Sequence, residues 1–228
     1  LLVSNDYCLE VCEDSDKLLP ICSVNPARSD AIEALERVVR EGAVALKLLP
    51  NSQGIDFGLP DYQSFWRRMA ELGIPLLTHT SFEHTLPVLD QTYGEPDRLR
   101  APLDEGVTVI AAHCASSGVA HITEHFDDWV EMLRTYPNLF GDVSAMASLA
   151  RFPYISKVLE DEIAPDRVAL GSDFPIPVTP WLFVPKLGWS TARELGDIDN
   201  PLQRNLETFR ELGCDQKILR RGARLLRV

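Results

Sequence analysis

The sequence predicts an α/β fold, a (β/α)8 TIM barrel lacking its first strand and most of its second, and three observations carry that prediction. Short apolar runs, each closing on a polar residue, recur along the chain: LLPICSVNP, AVALKLLP, IPLLTHT, VTVIAAHC, NLFGDVSA and RVALGSDFP. Their spacing is regular, since Lys47, His79, His113, Ser144 and Asp173 follow one another at intervals of 32, 34, 31 and 29 residues. Between the runs lie amphipathic helical patterns, and strands alternating with helices at that period build a parallel sheet. An open doubly wound sheet is the alternative, but it expects a glycine-rich phosphate loop after an early strand. Neither GxGxxG nor a Walker sequence occurs.

Each element has its own signal. The opening Leu1-Leu2-Val3 reads as the end of a strand, which is why the barrel is expected to be N-terminally incomplete. Ser4-Asn5-Asp6 supplies an N-cap for a helix through YCLEVCEDSDK. Ser29 is placed to cap AIEALERVVRE, with Ile32, Leu35, Val38 and Val39 on one face and Gly42 as the stop. Asp61 is placed to cap YQSFWRRMAEL, with Phe65, Trp66, Met69 and Leu72 inward and Gly73 ending it. Thr123 does the same for EHFDDWVEMLRTY ahead of Pro137.

Length and composition narrow the function. A chain of 228 residues that is 45% apolar can bury one large core, so a single domain over residues 1–228 is expected. No apolar run approaches the roughly 18 to 20 residues of a membrane span, and the start lacks the pattern of a secretory signal. The protein therefore reads as soluble and cytoplasmic. Five cysteines, an odd number without a CxxC pair, fit reduced thiols better than disulfides. A net charge of −12 disfavours nucleic acid and anionic membrane as partners. The expected partner is a small-molecule substrate, with a homodimer as the candidate assembly.

Asp173 poses the chemical question, because it follows the apolar strand 168–171, where an unpaired buried carboxylate costs several kcal/mol. Strand alternation sets Val44, Leu46 and Leu48 on one face and Ala43, Ala45 and Lys47 on the other; Val168 and Leu170 oppose Ala169, Gly171 and Asp173. Large residues belong under the helices, so Lys47 and Asp173 face the barrel axis. The same count aligns His113 with Val109 and Ala111, and His79 with Leu77. All four end strands, and strand C-termini form the mouth where barrel enzymes build their sites.

The order LKLLP, LLTHT, AAHC, FGDVSA and GSDFP resembles the amidohydrolase superfamily, in its amidohydrolase-related branch that also contains the aminocarboxymuconate-semialdehyde decarboxylases. The likeness covers residues 1 to 178, and the run from residue 200 to the end resembles the branch's last helices. It implies a divalent metal at the mouth, zinc or else manganese or a similar ion. Family members hold it with an HxH pair from strand 1, a His ending strand 5 and an Asp ending strand 8. His79 and Asp173 match the last two, and His113 matches the strand 6 His, a second ligand or a catalytic group. No HxH pair occurs in this chain. Imidazole and carboxylate donors suit zinc, whose charge would compensate Asp173 and acidify a water that Asp173 could deprotonate.

The expected function is a metal-dependent hydrolase in which activated water attacks an amide, ester or lactone. A non-oxidative decarboxylase acting on an unsaturated or aromatic acid is the alternative, and an inactive barrel the second alternative. Lys47 is a candidate for substrate-carboxylate pairing, although some superfamily members carry a carboxylated lysine at such a position. His84 and Trp181 are further substrate-binding candidates, Trp181 as a wall of the Pro-rich rim 174–181. His121 and His125 are expected at the surface, and Asp142 and Ser144 in hydrogen bonds to the rim.

Overall fold

The computed structural model describes residues 3–83, 85–117 and 125–226. All six apolar runs become strands: β1 (Ile21–Cys22), β2 (Ala45–Leu48), β3 (Leu76–Thr78), β4 (Val109–Ala111), β5 (Leu139–Asp142) and β6 (Val168–Ala169). They pair in parallel and in sequence order, forming a six-stranded arc of a (β/α) barrel. Helix α1 (Asn5–Glu13) precedes β1, and the helices between the strands are α2 (Ala31–Arg40), α3 (Pro50–Gln53), α4 (Gln63–Leu72), α5 (Arg100–Asp104), α6 (Phe126–Thr135) and α7 (Tyr154–Glu160). After β6 come α8 (Val184–Gly196), α9 (Pro201–Leu212) and α10 (Gln216–Leu225). No helix among the described residues is long and apolar enough to cross a membrane.

Register assigns the two faces. Leu46, Leu76, Val109 and Leu139 lie side by side, fully buried, in one core with Leu35, Val38, Phe65, Trp66, Met69, Trp129 and Leu133 of the surrounding helices. Burial of each such side chain is worth about 1.5 to 3 kcal/mol, which makes this the main stabilising layer. The neighbouring row, Lys47, Leu77, Ile110 and Phe140, faces the other way, toward the axis. A one-residue slip would exchange the rows and bury Lys47 under the helices.

The two outer strands are covered by helices. Asn5 of α1 pairs its side-chain amide with the Ser23 backbone in both directions at 2.9 Å, as a ladder partner would. On the other side Leu170 donates its N–H to the Ile218 carbonyl of α10 at 3.2 Å, and Arg221 donates to the carbonyls of Pro165 and Val168. Such contacts satisfy strand-edge groups that would otherwise be orphaned.

Several local expectations are corrected. Asp30, not Ser29, holds the N-cap of α2, and it makes no capping bond; its two oxygens accept from Arg28 at 2.7 and 2.6 Å. Asp61 lies inside a 3-10 turn started by Pro60, so it does not cap α4 either. Ile32 is 37% exposed; Ala31 takes its place on the buried face beside Leu35 and Val38. The proposed Thr123 cap falls outside the described residues. Ser4 does cap α1, accepting from the Tyr7 N–H, and the described cysteines are all free.

Candidate active site

A cavity of about 320 Å³ opens at the C-terminal ends of the strands and gathers Lys47, His79, Glu83, His113, Arg151 and Asp173. Leu49, Phe82, Leu86, Phe174 and Ile176 form its apolar walls.

His79 continues β3 by one residue, its N–H bonded to the Leu48 carbonyl at 2.9 Å. Its ring bonds to the Phe82 backbone, while Nε2 is buried without a hydrogen-bond partner and lies 3.7 Å from Glu83 Oε2. Burial, with help from the charges of Lys47 and Arg151, lowers its pKa to about 4 and keeps it neutral. The rings of His79 and His113 stand 5.3 Å apart, edge to face.

His113 reaches the cavity by a different route. Ala111 lies in the row of Leu48, Thr78, Gly141 and Val168, on the helix-facing side, so simple alternation would turn His113 away from the axis. The expectation that it follows Val109 and Ala111 inward is therefore corrected, although the residue does line the cavity. The cause is a left-handed turn: His113, Cys114 and Ala115 have φ of 60°, 51° and 52°, which reverses the chain and brings the imidazole back. Non-glycine residues in this region carry strain that persists only when neighbours over-determine it. Asp142 Oδ1 supplies one constraint by accepting the His113 N–H at 2.9 Å. Burial holds the imidazole neutral, well below its usual pKa.

Asp173 also sits at positive φ, 55°, and its side chain remains 42% exposed with Oδ2 3.9 Å from His113 Nε2. Burial raises its pKa, as do the carboxylates of Asp142 and Glu83, against Lys47 and Arg151. For Glu83 burial acts upward, but hydrogen bonds to Oε1 from the Thr85 hydroxyl and the Thr85 and Leu86 N–H groups prevail and lower the pKa. Lys47 is lowered by burial, which the three carboxylates oppose. Arg151 is buried, donates to the Ser116 carbonyl and forms no ion pair among the described residues.

The family profile described as amidohydrolase matches residues 3–195. The chain belongs to the amidohydrolase family. No curated protein matches the sequence. Among solved structures, this amidohydrolase is similar to a candidate 2-pyrone-4,6-dicarboxylic acid hydrolase from Pseudomonas putida at 17% identity and TM-score 0.65, over 97% of this chain and 77% of that one. It is similar to 2,6-dihydroxybenzoate decarboxylase from Rhizobium at 16% identity and TM-score 0.56, over 98% and 75%. A dihydroxybenzoic acid decarboxylase from Polaromonas sp. JS666, solved with bound manganese and the inhibitor 2-nitroresorcinol, matches at 14% identity and TM-score 0.56, over 98% and 73%. At these identities the likeness establishes the fold.

The family is metal-dependent, so the donors of this amidohydrolase need comparison with what a cation requires. Among the described residues no three His, Cys, Asp or Glu side chains gather closely enough to enclose an ion. The donors that are present fit one in kind. His79 Nε2 is an orphaned buried acceptor, and the Asp173 carboxylate opens to the same cavity.

Four of the sequence candidates, Lys47, His79, His113 and Asp173, are thus brought together. Trp181 is not; it lies tilted against Trp189 with centroids 6.0 Å apart, and Phe174 and Ile176 supply the wall expected of it. His84 and His121 lie outside the described residues. His125 is buried rather than at the surface, its ring 5.8 Å from Phe82 and its Nδ1 3.3 Å from Asp128 Oδ2. Sequence reasoning overlooked Glu83 and Arg151. A signal existed for each: Glu83 follows His79 by four residues in THTSFEHT, and Arg151 is a lone cation in the apolar stretch AMASLARFPYI.

Proposed function

We propose that this amidohydrolase is a metal-dependent hydrolase that opens an amide, ester or lactone bond in a small carboxylate-bearing substrate. The observation that carries the reading is the pairing, in one cavity, of a partly exposed carboxylate of raised pKa with two neutral imidazoles and two cations. His79 and Asp173, with His113 as a further donor, would hold a divalent ion, zinc or manganese, which would supply Lewis-acid polarisation and a more acidic water. Asp173 accepts the proton that the attacking water loses, a role its raised pKa and exposure suit. Lys47 and Arg151 bind the substrate carboxylate; Arg151 offers the planar fork that matches it. Phe82, Leu86, Phe174 and Ile176 exclude bulk water from the reacting bond.

One observation favours a second reading. The apolar walls beside two cations also suit a flat unsaturated acid, which non-oxidative decarboxylation would convert with Asp173 returning a proton to carbon. Metal analysis followed by two substrate panels, carboxylated lactones and esters against hydroxybenzoic and other unsaturated acids, tests both. About one equivalent of metal per chain and product oxygen drawn from labelled water are expected. Release of carbon dioxide without label would replace the first reading by the second, and inertness of the metal-replete protein toward both panels would overturn both.

A further inference from the structure

We propose that Asp142 and Ser144 are positioning residues that hold His113 in the tautomer protonated on Nδ1, so that its Nε2 meets the cavity as a bare lone pair. The assignment follows from counting protons. Asp142 Oδ1 accepts from the His113 backbone N–H at 2.9 Å, from the Ser144 backbone N–H at 3.0 Å and from the Ser144 hydroxyl. A serine hydroxyl has one proton, and here it is committed to the carboxylate. Toward His113 Nδ1, 2.8 Å away, Ser144 Oγ can then only accept. The second neighbour of Nδ1, the Ser144 carbonyl at 3.1 Å, is an acceptor in any state. Two acceptors facing one ring nitrogen place the hydrogen there, and a neutral imidazole has no second one for Nε2.

The device is enclosed. Asp142, Ser144 and His113 are all buried, and the Asp142 backbone carbonyl takes the Cys114 thiol at 3.1 Å. Gly171 packs against the pair, and a Cβ there would stand 2.9 Å from Ser144 Cβ and 3.2 Å from Asp142 Cγ.

This decides what His113 can do in the reaction proposed above, on which its catalytic meaning rests. With Nε2 bare, it accepts a proton or hydrogen bond from substrate or water, or binds a cation. It does not polarise a carbonyl by donating from Nε2.

Ring-nitrogen NMR shifts of the protein labelled in histidine test the assignment without reference to turnover. At neutral pH in chelator, His113 is expected to show a protonated Nδ1 and an unprotonated Nε2. Ser144→Ala, which removes the hydroxyl but keeps the carbonyl facing Nδ1, is expected to shift both signals part of the way toward tautomer averaging and, in the metal-replete enzyme, to lower kcat about 10- to 100-fold with little change in KM. Ser144→Thr, which keeps the hydroxyl, is expected to restore both. A wild-type spectrum with the hydrogen on Nε2 overturns the proposal whatever the variants do, and unchanged ring shifts in Ser144→Ala overturn the role of the serine. The expected spectra in a protein that hydrolyses nothing would refute the hydrolase reading and leave the tautomer assignment standing.

Discussion

Asp173 sits at φ 55°, and asparagine is among the few residues that accept this conformation readily, so Asp173→Asn changes the charge with little disturbance of the backbone. Its amide can still offer one oxygen to a cation but cannot take a proton from water at neutral pH. The variant is expected to keep its melting behaviour to within about 1 kcal/mol, because the side chain is 42% exposed, to bind metal more weakly, and to be almost inactive even in excess metal. Thermal melts beside metal-saturated kinetics check this, and near-normal turnover would show that Asp173 is not the base. His79 and Asp173 were both legible in the sequence as residues of the barrel mouth; His79 continues the alternation of β3, so counting by twos from Leu77 reaches the right face, whereas Asp173 lies four residues beyond β6 at positive φ and reaches the cavity from a loop. His113 breaks that count, and only the left-handed turn explains how it arrives at the same cavity. Glu83 and Arg151 enter from loops, where no periodicity says which way a side chain points.

Among the elements, the ends of β4, β5 and β6 form one packed unit. His113 follows β4, Asp142 ends β5 with Ser144 just beyond it, and Gly171 follows β6 with no room for a side chain. Gly171→Ala is therefore expected to cost about 1 to 3 kcal/mol through overpacking, since the atoms met are the Cβ and Cγ of buried residues and not the far end of a flexible chain. Because those atoms hold His113, the same variant should lose activity per folded molecule. Denaturant midpoints and kcat measured on one preparation check both, and a stable, fully active variant would mean that the strand ends are looser than the distances indicate. The six strands themselves were readable from short apolar runs at a steady interval. Cap positions were not, because Asp30 and Asp61 differ from other cap candidates only in what surrounds them, an arginine two residues before one and a proline-started turn around the other.

The whole molecule hides neutral imidazoles beside cations, and that makes it sensitive to acid. His79 has a pKa of about 4 when folded against 6.5 for an unperturbed histidine. As pH falls below about 6.5 the unfolded chain takes up a proton that the folded protein refuses, so stability present above that value is lost progressively toward pH 4. The linkage is on the order of 3 kcal/mol, and His113, depressed in the same direction, adds to it. Glu83, also lowered, contributes stability that is present above its usual 4.5 and disappears as pH drops through its folded value. Urea midpoints in chelator are expected to fall between pH 6.5 and 4, and less steeply in His79→Gln; equal slopes would contradict the assignment. By itself the sequence determined the parallel barrel architecture and the convergence of Lys47, His79 and Asp173, because these depend on periodicities of two and about thirty residues that are local and repeat, while the order of its strand-end motifs carried the likeness to the family. The tertiary structure alone decided that His113 swings back through a left-handed turn, that Asp142 and Ser144 bond to it, that Glu83 and Arg151 join the cavity and that Trp181 does not. Those outcomes depend on which groups meet across strands and loops distant in sequence, and no local pattern in the chain encodes such meetings.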